Sequence, residues 1–336
     1  MPHLSVIVPV YNREKMIEMC LKAIRESVYR DYEIIVVDDC SDDQTPSVAK
    51  KYANQIIILP KRSAQAYARN VGMHAAKGEI IVNIDSDVLI RPDTLTKIAD
   101  YFMKHPDVIA VTGLLSKDNP NKDFFSQYKN LYMNYIFNKL PETVTFLYGS
   151  IFAVRREVIS LHSIMVEIVD DTAFGQRIAS SGKKIAFLKD LEVVHFKKYD
   201  FISFVRNDFK IPFIWSNIFL KYKGWKQLGR KSTGFAHSPK EQLLSVILAP
   251  AILMLFFGAL FWSWLITFLL ALSLIWFLLN FNFIRFLTRE RGFVFGLLSV
   301  LATFLDNIVM MSGILCGLLI SSIQLIKRPY LNNKRV

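Results

Sequence analysis

Glu79-Ile80-Ile81-Val82-Asn83-Ile84-Asp85-Ser86-Asp87 sets a mostly β-branched run directly against two carboxylates one residue apart. A short, continuously apolar run of this kind reads as a strand buried on both faces. It has companions in the first half of the chain. Leu4–Val10 is closed by Pro9, Tyr11 and Asn12, and Ile34-Ile35-Val36-Val37 by Asp38-Asp39-Cys40-Ser41-Asp42. Ile56-Ile57-Ile58-Leu59 and a strand near 108–111 complete the set. Helical patterns lie between them. One follows Asn12, which is placed to cap it, with Met16, Cys20, Ala23 and Ile24 on one face; others run from Pro46, over 64–76 and from Pro92. This alternation predicts an α/β fold, a doubly wound, mostly parallel sheet. Ligands in such sheets bind beyond the carboxyl ends of the strands. Here three strand ends deliver polar or acidic groups to one rim.

Hydrophobic residues make up 52% of the 336, and the excess is concentrated late in the chain. Charges are scattered freely up to about Lys240, whereas 243–279 has none. A span needs ~20 residues, so that run holds two crossings joined near Trp262-Ser263-Trp264. Arg285, Arg289 and Arg291 follow, and 293–326 is apolar again apart from Asp306. That last block accommodates one span, a re-entrant pair or a helix lying partly in the bilayer interface. The expected organisation is a Rossmann-like α/β domain over 1–198, amphipathic basic and aromatic helices over 199–242, transmembrane helices over 243–327 and a basic tail over 328–336. In 199–242, Phe201, Phe204, Phe209, Phe213, Trp215, Phe219, Tyr222 and Trp225 stand among lysines, which suits helices lying in the interface; ordinary core is the alternative.

The formal charge of +12 admits nucleic acid, an anionic membrane or a phosphorylated substrate as partner. No zinc-finger or RNA-binding signature is present, and many basic residues crowd just before the first apolar block, so membrane lipids are the expected partner and nucleic acid is not. Basic clusters before, between and after the apolar blocks place all three on the cytoplasmic side, which an even number of crossings satisfies. The expected location is therefore the cytoplasmic (inner) membrane, multi-pass, with the α/β domain in the cytoplasm. Cys20, Cys40 and Cys316 have no metal-ligand spacing and fit a reducing compartment. The opening residues lack a basic n-region and read as a strand, not a signal peptide.

Several strand-end residues carry chemistry. Asp85 and Asp87 suit a hard divalent cation such as Mg²⁺, which takes one or two carboxylates plus substrate phosphates; a solvated turn is the bland alternative. Asp38 and Asp39 can accept hydrogen bonds from a base or a ribose, or merely cap a helix. Arg69, in Ala68-Arg69-Asn70-Val71-Gly72, can pair with phosphate or face solvent. Asp170-Asp171 before a helix is either a match to the helix dipole or a general base for an acceptor hydroxyl. His195, after Leu191-Glu192-Val193-Val194, is a metal or phosphate contact or a structural histidine.

Taken together and in order, these residues resemble the family 2 glycosyltransferases, which have the GT-A fold. The likeness covers about residues 4–196 and runs through Ser5 to Asn12, Val36 to Thr45, Ala68-Arg69-Asn70-Val71-Gly72, Lys77-Gly78-Glu79 and Ile84-Asp85-Ser86-Asp87. Gly149, Arg155-Arg156, Asp170-Asp171, Arg177, Gly182 and His195 continue it. The resemblance implies inverting transfer, in one displacement, from a UDP- or GDP-linked sugar to a lipid-linked (polyprenyl) or saccharide acceptor, in glycolipid or polysaccharide biosynthesis, with Mg²⁺ or Mn²⁺ as cofactor. It implies that Asp38 and Asp39 contact base and ribose, that Pro9, Tyr11 and Asn12 line the nucleotide-sugar, and that Arg69 lies near the diphosphate. Asp85 and Asp87 become the metal and ribose pair, His195 a further metal contact, Asp171 the catalytic base, and Gly149 and Asp170 part of the acceptor loop. The chain departs from the pattern at Ser63-Ala64-Gln65-Ala66, where the family often has glycine, and at Ala173, where an acid is usual. Gln227-Leu228-Gly229-Arg230-Lys231 lacks the tryptophan of processive polysaccharide synthases, which favours single transfer. A nucleotidyltransferase would need a Gly-rich basic loop where Pro9-Val10-Tyr11-Asn12-Arg13 stands. A non-catalytic membrane nucleotide-sugar-binding scaffold and a processive polysaccharide synthase are the remaining alternatives; intact Asp85, Asp87 and Asp171 argue against the scaffold.

Overall fold

The computed structural model describes residues 3–161, 171–221 and 240–332. Asp170, Tyr222, Trp225, the stretch from Gln227 to Lys231, and Lys334 and Arg335 lie outside the described residues. The chain divides into two compact units, one of residues 1–121 and 140–197, the other of 122–139 and 198–336.

The first unit is built on nine strands: β1 (Leu4–Val10), β2 (Tyr32–Asp38), β3 (Gln55–Ile58), β4 (Ile80–Ile84), β5 (Val88–Leu89), β6 (Val108–Leu115), β7 (Thr143–Val144), β8 (Ile151–Arg155) and β9 (Lys184–His195). They lie in the order β3-β2-β1-β4-β8-β6-β9-β5, with β7 also pairing with β9. Of the five that the apolar runs announce, β1 to β4 are parallel to one another. Every residue of β1 and β4 is buried, as helices on both faces require. Beyond β4 the sheet is mixed and no longer mostly parallel. β8 runs antiparallel to both of its neighbours, and β5 and β7 are antiparallel to β9, while β6 and β9 are parallel. The two-residue strands are too short to show a period in sequence.

Helix α1 (Glu14–Arg25) buries Ile17, Cys20, Leu21 and Ile24. Asn12 does not cap it. Asn12 adopts φ 47°, and its side chain accepts the N–H of Asp42 at 3.1 Å. The N–H groups of Arg13 and Glu14 go instead to Thr45 Oγ1 and Asp43 Oδ2, at 2.8 and 3.3 Å. The loop after β2 thus supplies the cap, and the two loops at this rim are stitched together. Helices α2 (Thr45–Ala49), α3 (Gln65–Ala75) and α4 (Thr94–Lys104) follow. A Cβ at Gly72 would strike Ile7 and come within 3.0 Å of Val37, so α3 lies directly on β1 and β2.

Several residues of the resemblance hold the opposite ends of these strands. Ser5 Oγ donates to Glu33 at 2.6 Å and accepts the N–H groups of Lys77 and Gly78 at 3.1 and 2.8 Å. Arg156 donates to the carbonyls of Gly78 and Ala76. Arg155 donates to those of Phe102 and Val108, at 2.7 and 3.0 Å.

The second unit is helical. It comprises α5 (Phe124–Asn138), α8 (Phe201–Lys221), α9 (Lys240–Ala259), α10 (Leu265–Arg291) and α11 (Phe293–Asn332); α6 (Glu157–Leu161) and α7 (Asp171–Ser180) belong to the first. The uncharged run resolves into α9 and α10, broken at 260–264. The last apolar block is one continuous helix, not a re-entrant pair. Among the described residues, three stretches are long and apolar enough to cross a membrane, Glu241–Ala259, Leu265–Arg291 and Phe293–Ser322. Helix α5 is buried nearly all round, although the chain on either side of it belongs to the first unit. Lys129 pairs with Asp208, and Asp306 lies against Asp208 and Tyr128. Phe204 is fully buried among Phe125 and Tyr128, whereas Phe201 and Phe209 are exposed, so the aromatics of α8 divide between core and surface.

The entrance to α3 carries visible strain. Ala64 has φ 80° and ψ 153°, a conformation reserved in practice for glycine. It stands in the stretch where the resembled family often has glycine. Ala64→Gly is expected to stabilise the protein by about 1 kcal/mol, the strain relieved less the entropy that glycine adds to the unfolded chain. Thermal unfolding of both proteins in one detergent checks this; a lower melting temperature for the glycine variant contradicts it.

Candidate active site

The loop after β4 is the centre of the rim. Asp85 Oδ1 accepts from Arg69 Nη2 and from Gln65 Nε2, both at 2.7 Å. Arg69 and Gln65 stand one turn apart on α3, so both reach the same carboxylate. Burial pushes the Asp85 carboxyl above the usual carboxylate range against the pull of Arg69, and the charge of Asp87 adds to the push. Asp87 behaves oppositely. Its burial is outweighed by the hydrogen bond and charge of His195, helped by Lys197 and Arg13, which hold it below its ordinary value. His195 Nε2 lies 3.3 Å from Asp87 Oδ1, because β5 pairs with the end of β9 and sets Val88 opposite His195.

The loop before β8 closes the other side. A Cβ at Gly149 would fall on Asp171 Oδ2 and within 2.7 Å of Arg69 Nη2. The carboxylate and the guanidinium therefore converge on one point that only glycine leaves open. The Gly149 carbonyl is held by Asn83 Nδ2 at 3.0 Å and by Arg69 at 3.4 Å. Helix α7, which begins with Asp171, is pressed onto the same loop. A Cβ at Gly175 would strike the backbone of Phe146, and Gln176 donates to Thr145 Oγ1 at 2.9 Å.

The remaining expected residues divide. Tyr11 is half-buried at the rim with the Arg62 guanidinium 4.2 Å over its ring. Asp38 Oδ2 accepts the N–H of Ser41 at 2.8 Å, while its buried Oδ1 has no partner among the described residues. Asp39 is occupied by backbone contacts. Its two oxygens accept the N–H groups of Ser63 and Ala64, at 2.6 and 3.0 Å, and so hold the entrance to α3. Pro9 is the penultimate residue of β1, buried and opposite Val37. Asn12 joins two loops, as described above, and Asp170 lies outside the described residues. Gln65 and Asn83 were not singled out from sequence, though each left a signal. Gln65 precedes Arg69 by four positions, and Asn83 is the one polar residue in an apolar strand.

The expected metal set of Asp85, Asp87 and His195 is only partly assembled. Among the described residues no three His, Cys, Asp or Glu side chains form a ready cage, and Asp85 is turned to Arg69 and Gln65. The donors still fit a hard divalent cation that completes its shell with phosphate and water. Asp87 and His195 offer oxygen and nitrogen side by side, and a cation would relieve the repulsion between Asp85 and Asp87.

Residues 5–161 match the model of glycosyl transferase family 2. The chain is 27% identical over 206 residues to EpsH of Bacillus subtilis, covering 56% of this chain and 59% of that one. It is 35% identical over 115 residues to the poly(ribitol-phosphate) β-N-acetylglucosaminyltransferase TarS of Staphylococcus aureus, covering 32% and 20%. The match thus spans between about a fifth and three fifths of these relatives. Among solved structures, the mannosyltransferase PcManGT of Pyrobaculum calidifontis, in complex with GDP-Man and Mn²⁺, superposes with a TM-score of 0.52 at 24% identity, covering 66% of this chain and 64% of that one. Residues 1–349 of TarS, in complex with UDP-GlcNAc, give 0.50 at 20% identity, covering 92% and 90%. At these identities the structural likeness is one of fold, a GT-A-like mixed sheet with its helices.

Gly149→Ala is expected to cut turnover about 10²-fold, the scale of a 1 Å misplacement of reacting groups, with little change in melting temperature. Steady-state kinetics beside thermal unfolding would show it; an alanine variant as active as the parent would remove Gly149 from the site.

Proposed function

Taking as premise that the chain belongs, through residues 5–161, to glycosyl transferase family 2, we propose that it moves a sugar from a UDP- or GDP-linked donor to a lipid-linked or saccharide acceptor at a membrane surface, inverting the anomeric centre in one displacement. The observation that carries the proposal is the convergence of Asp171 and Arg69 on Gly149 beside the Asp85–Asp87 rim. Nucleotide diphosphate sugars are bound by the two structural neighbours named above, which supports this donor class. The apolar helices of the second unit support a membrane-borne acceptor.

The mechanism follows from the side chains. The Asp171 carboxylate takes the proton from the acceptor hydroxyl as that oxygen bonds to the anomeric carbon. The bond from that carbon to the diphosphate breaks, and its electron pair leaves with the nucleoside diphosphate. Arg69, fixed by Asp85 and the Gly149 carbonyl, presents a guanidinium where negative charge gathers. Gln65 shares the task of orienting Asp85. Asp38 offers its unpartnered oxygen to a base N–H, and Tyr11 offers its ring to the base or ribose. Asp87, His195 and Asp85 would hold a divalent cation, Mg²⁺ or Mn²⁺, which when bound neutralises charge on the departing diphosphate.

The direct test is a donor screen on detergent-purified protein, reading released UDP or GDP with Mg²⁺ or Mn²⁺, with and without membrane lipid extract. One nucleotide should be released only when acceptor is supplied. Asp171→Asn should lower kcat by about 10²–10⁴-fold, the usual contribution of a general base, while nucleotide binding persists. Turnover unchanged in Asp171→Asn would overturn the assignment of the base; binding without turnover in the parent would favour the scaffold.

A further inference from the structure

The base end of the candidate site is closed in this structure. We infer that Arg62 is its lid: the guanidinium holds the face of Tyr11 on which the donor's base stacks, and it leaves before the base reaches Asp38. The inference rests on the nucleotide-sugar reading and adds a gate to it.

Three strands end level at this rim. Val10, Asp38 and Ile58, the last residues of β1, β2 and β3, are register partners. Neighbouring strands lie about 4.8 Å apart, so the loops after β1 and β3 start about 10 Å apart with the end of β2 between them. Tyr11 belongs to the loop after β1 and Arg62 to the loop after β3. They meet nonetheless, with the Arg62 guanidinium carbon 4.2 Å from the centre of the Tyr11 ring. The stack therefore bridges the end of β2, where Asp38 stands. Asp38 is fully buried, and its Oδ1 has neither solvent contact nor a hydrogen-bond partner among the described residues. A carboxylate oxygen left in that state is costly, and the N–H edge of a base would satisfy it. The bridge stands in the way.

Backbone contacts decide which half of the bridge moves. Tyr11 is anchored through its neighbour Asn12, whose N–H donates to Ser41 Oγ at 2.9 Å and whose side chain accepts from Asp42. The backbone beside Arg62 is fixed as well. Ser63 N–H donates to Asp39 Oδ1 at 2.6 Å, and Ser63 Oγ to the Lys61 carbonyl at 2.9 Å. What is left to move is the Arg62 side chain, which is exposed and pairs with no carboxylate among the described residues. A cation on an aromatic face at an exposed site is weakly held. The covered face is also the one a ligand needs. An exposed side chain reaches the side of a half-buried ring that is open to solvent, and a base arriving from solvent has the same side to stack on. A base cannot fit between ring and guanidinium at 4.2 Å, so one stack replaces the other.

Two other roles fit less well. A phosphate contact would place Arg62 near Asp85 and Asp87, which follow β4, on the far side of β1 from β2. A plain staple between loops would be redundant, because Asn12 with Ser41 and Asp39 with Ser63 already tie the three loops together.

A lid that is mostly closed lowers apparent affinity by the fraction of time it stands open. Surface plasmon resonance of UDP and GDP with Mn²⁺ on the whole chain in detergent measures this, in ~1 M salt so that loss of the charge itself is screened. Arg62→Ala should bind the nucleotide that the parent selects about 3-fold more tightly, with the whole gain in the association rate and none in dissociation. Arg62→Lys, which still covers the ring with a cation, should stay close to the parent. Weaker binding with faster dissociation in Arg62→Ala would make Arg62 a clamp on the bound base and overturn the inference. An unchanged association rate would overturn it too, leaving the donor reading intact. A parent that binds neither UDP nor GDP would remove the donor reading itself and the lid with it.

Discussion

The ion pair between Arg69 and Asp85 is the contact on which the candidate site is assembled. The two groups meet at 2.7 Å with side chains only 10% and 15% exposed. A carboxylate this enclosed is tolerable only when paired and hydrogen-bonded. The pair fixes α3 against the end of β4, and that single constraint spreads outward. Gln65 completes the coordination of Asp85, and the guanidinium reaches the Gly149 carbonyl. The absence of a side chain at Gly149 then lets Asp171 approach the same point. Removing either partner would leave the other buried and uncompensated, so function and local stability are coupled here.

That site was legible in sequence where chemistry follows a buried run. Asp85, Asp87 and Asp38 end strands whose apolar continuity is plain, and β1 to β4 are parallel as those runs imply. The antiparallel β8 could not be read, because five residues, Ile151–Arg155, give no sign of the direction in which they will pair. Asp39 shows a different limit. A carboxylate at a strand end serves equally to receive a ligand or to hold a helix entrance, and its contacts with Ser63 and Ala64 join residues 24 and 25 positions apart, which no local pattern announces. Asn83 announced itself as a polar residue in a buried strand, yet its partner, the Gly149 carbonyl, is 66 residues away in the chain.

The second unit was legible by composition and illegible by arrangement. Two apolar helices and their break follow from the uncharged run. Helix α5 did not, because its burial comes from α8, α10 and α11, all distant in sequence. The lone Asp306 in an apolar block reads as an anomaly until Lys129 and Asp208 are seen beside it. Burying such groups together adds little net stability, but it penalises any other register of these helices, since a shifted helix would strand a charge.

The central claim is that the Asp85–Asp87 rim binds a nucleoside diphosphate through a divalent cation. Calorimetric titration of UDP and GDP into the purified protein, with and without Mn²⁺, tests it most directly. The account predicts that one of the two binds, that binding needs the metal, and that Asp87→Asn abolishes the metal dependence. Binding of equal strength without metal, or unaltered metal dependence in Asp87→Asn, would contradict it.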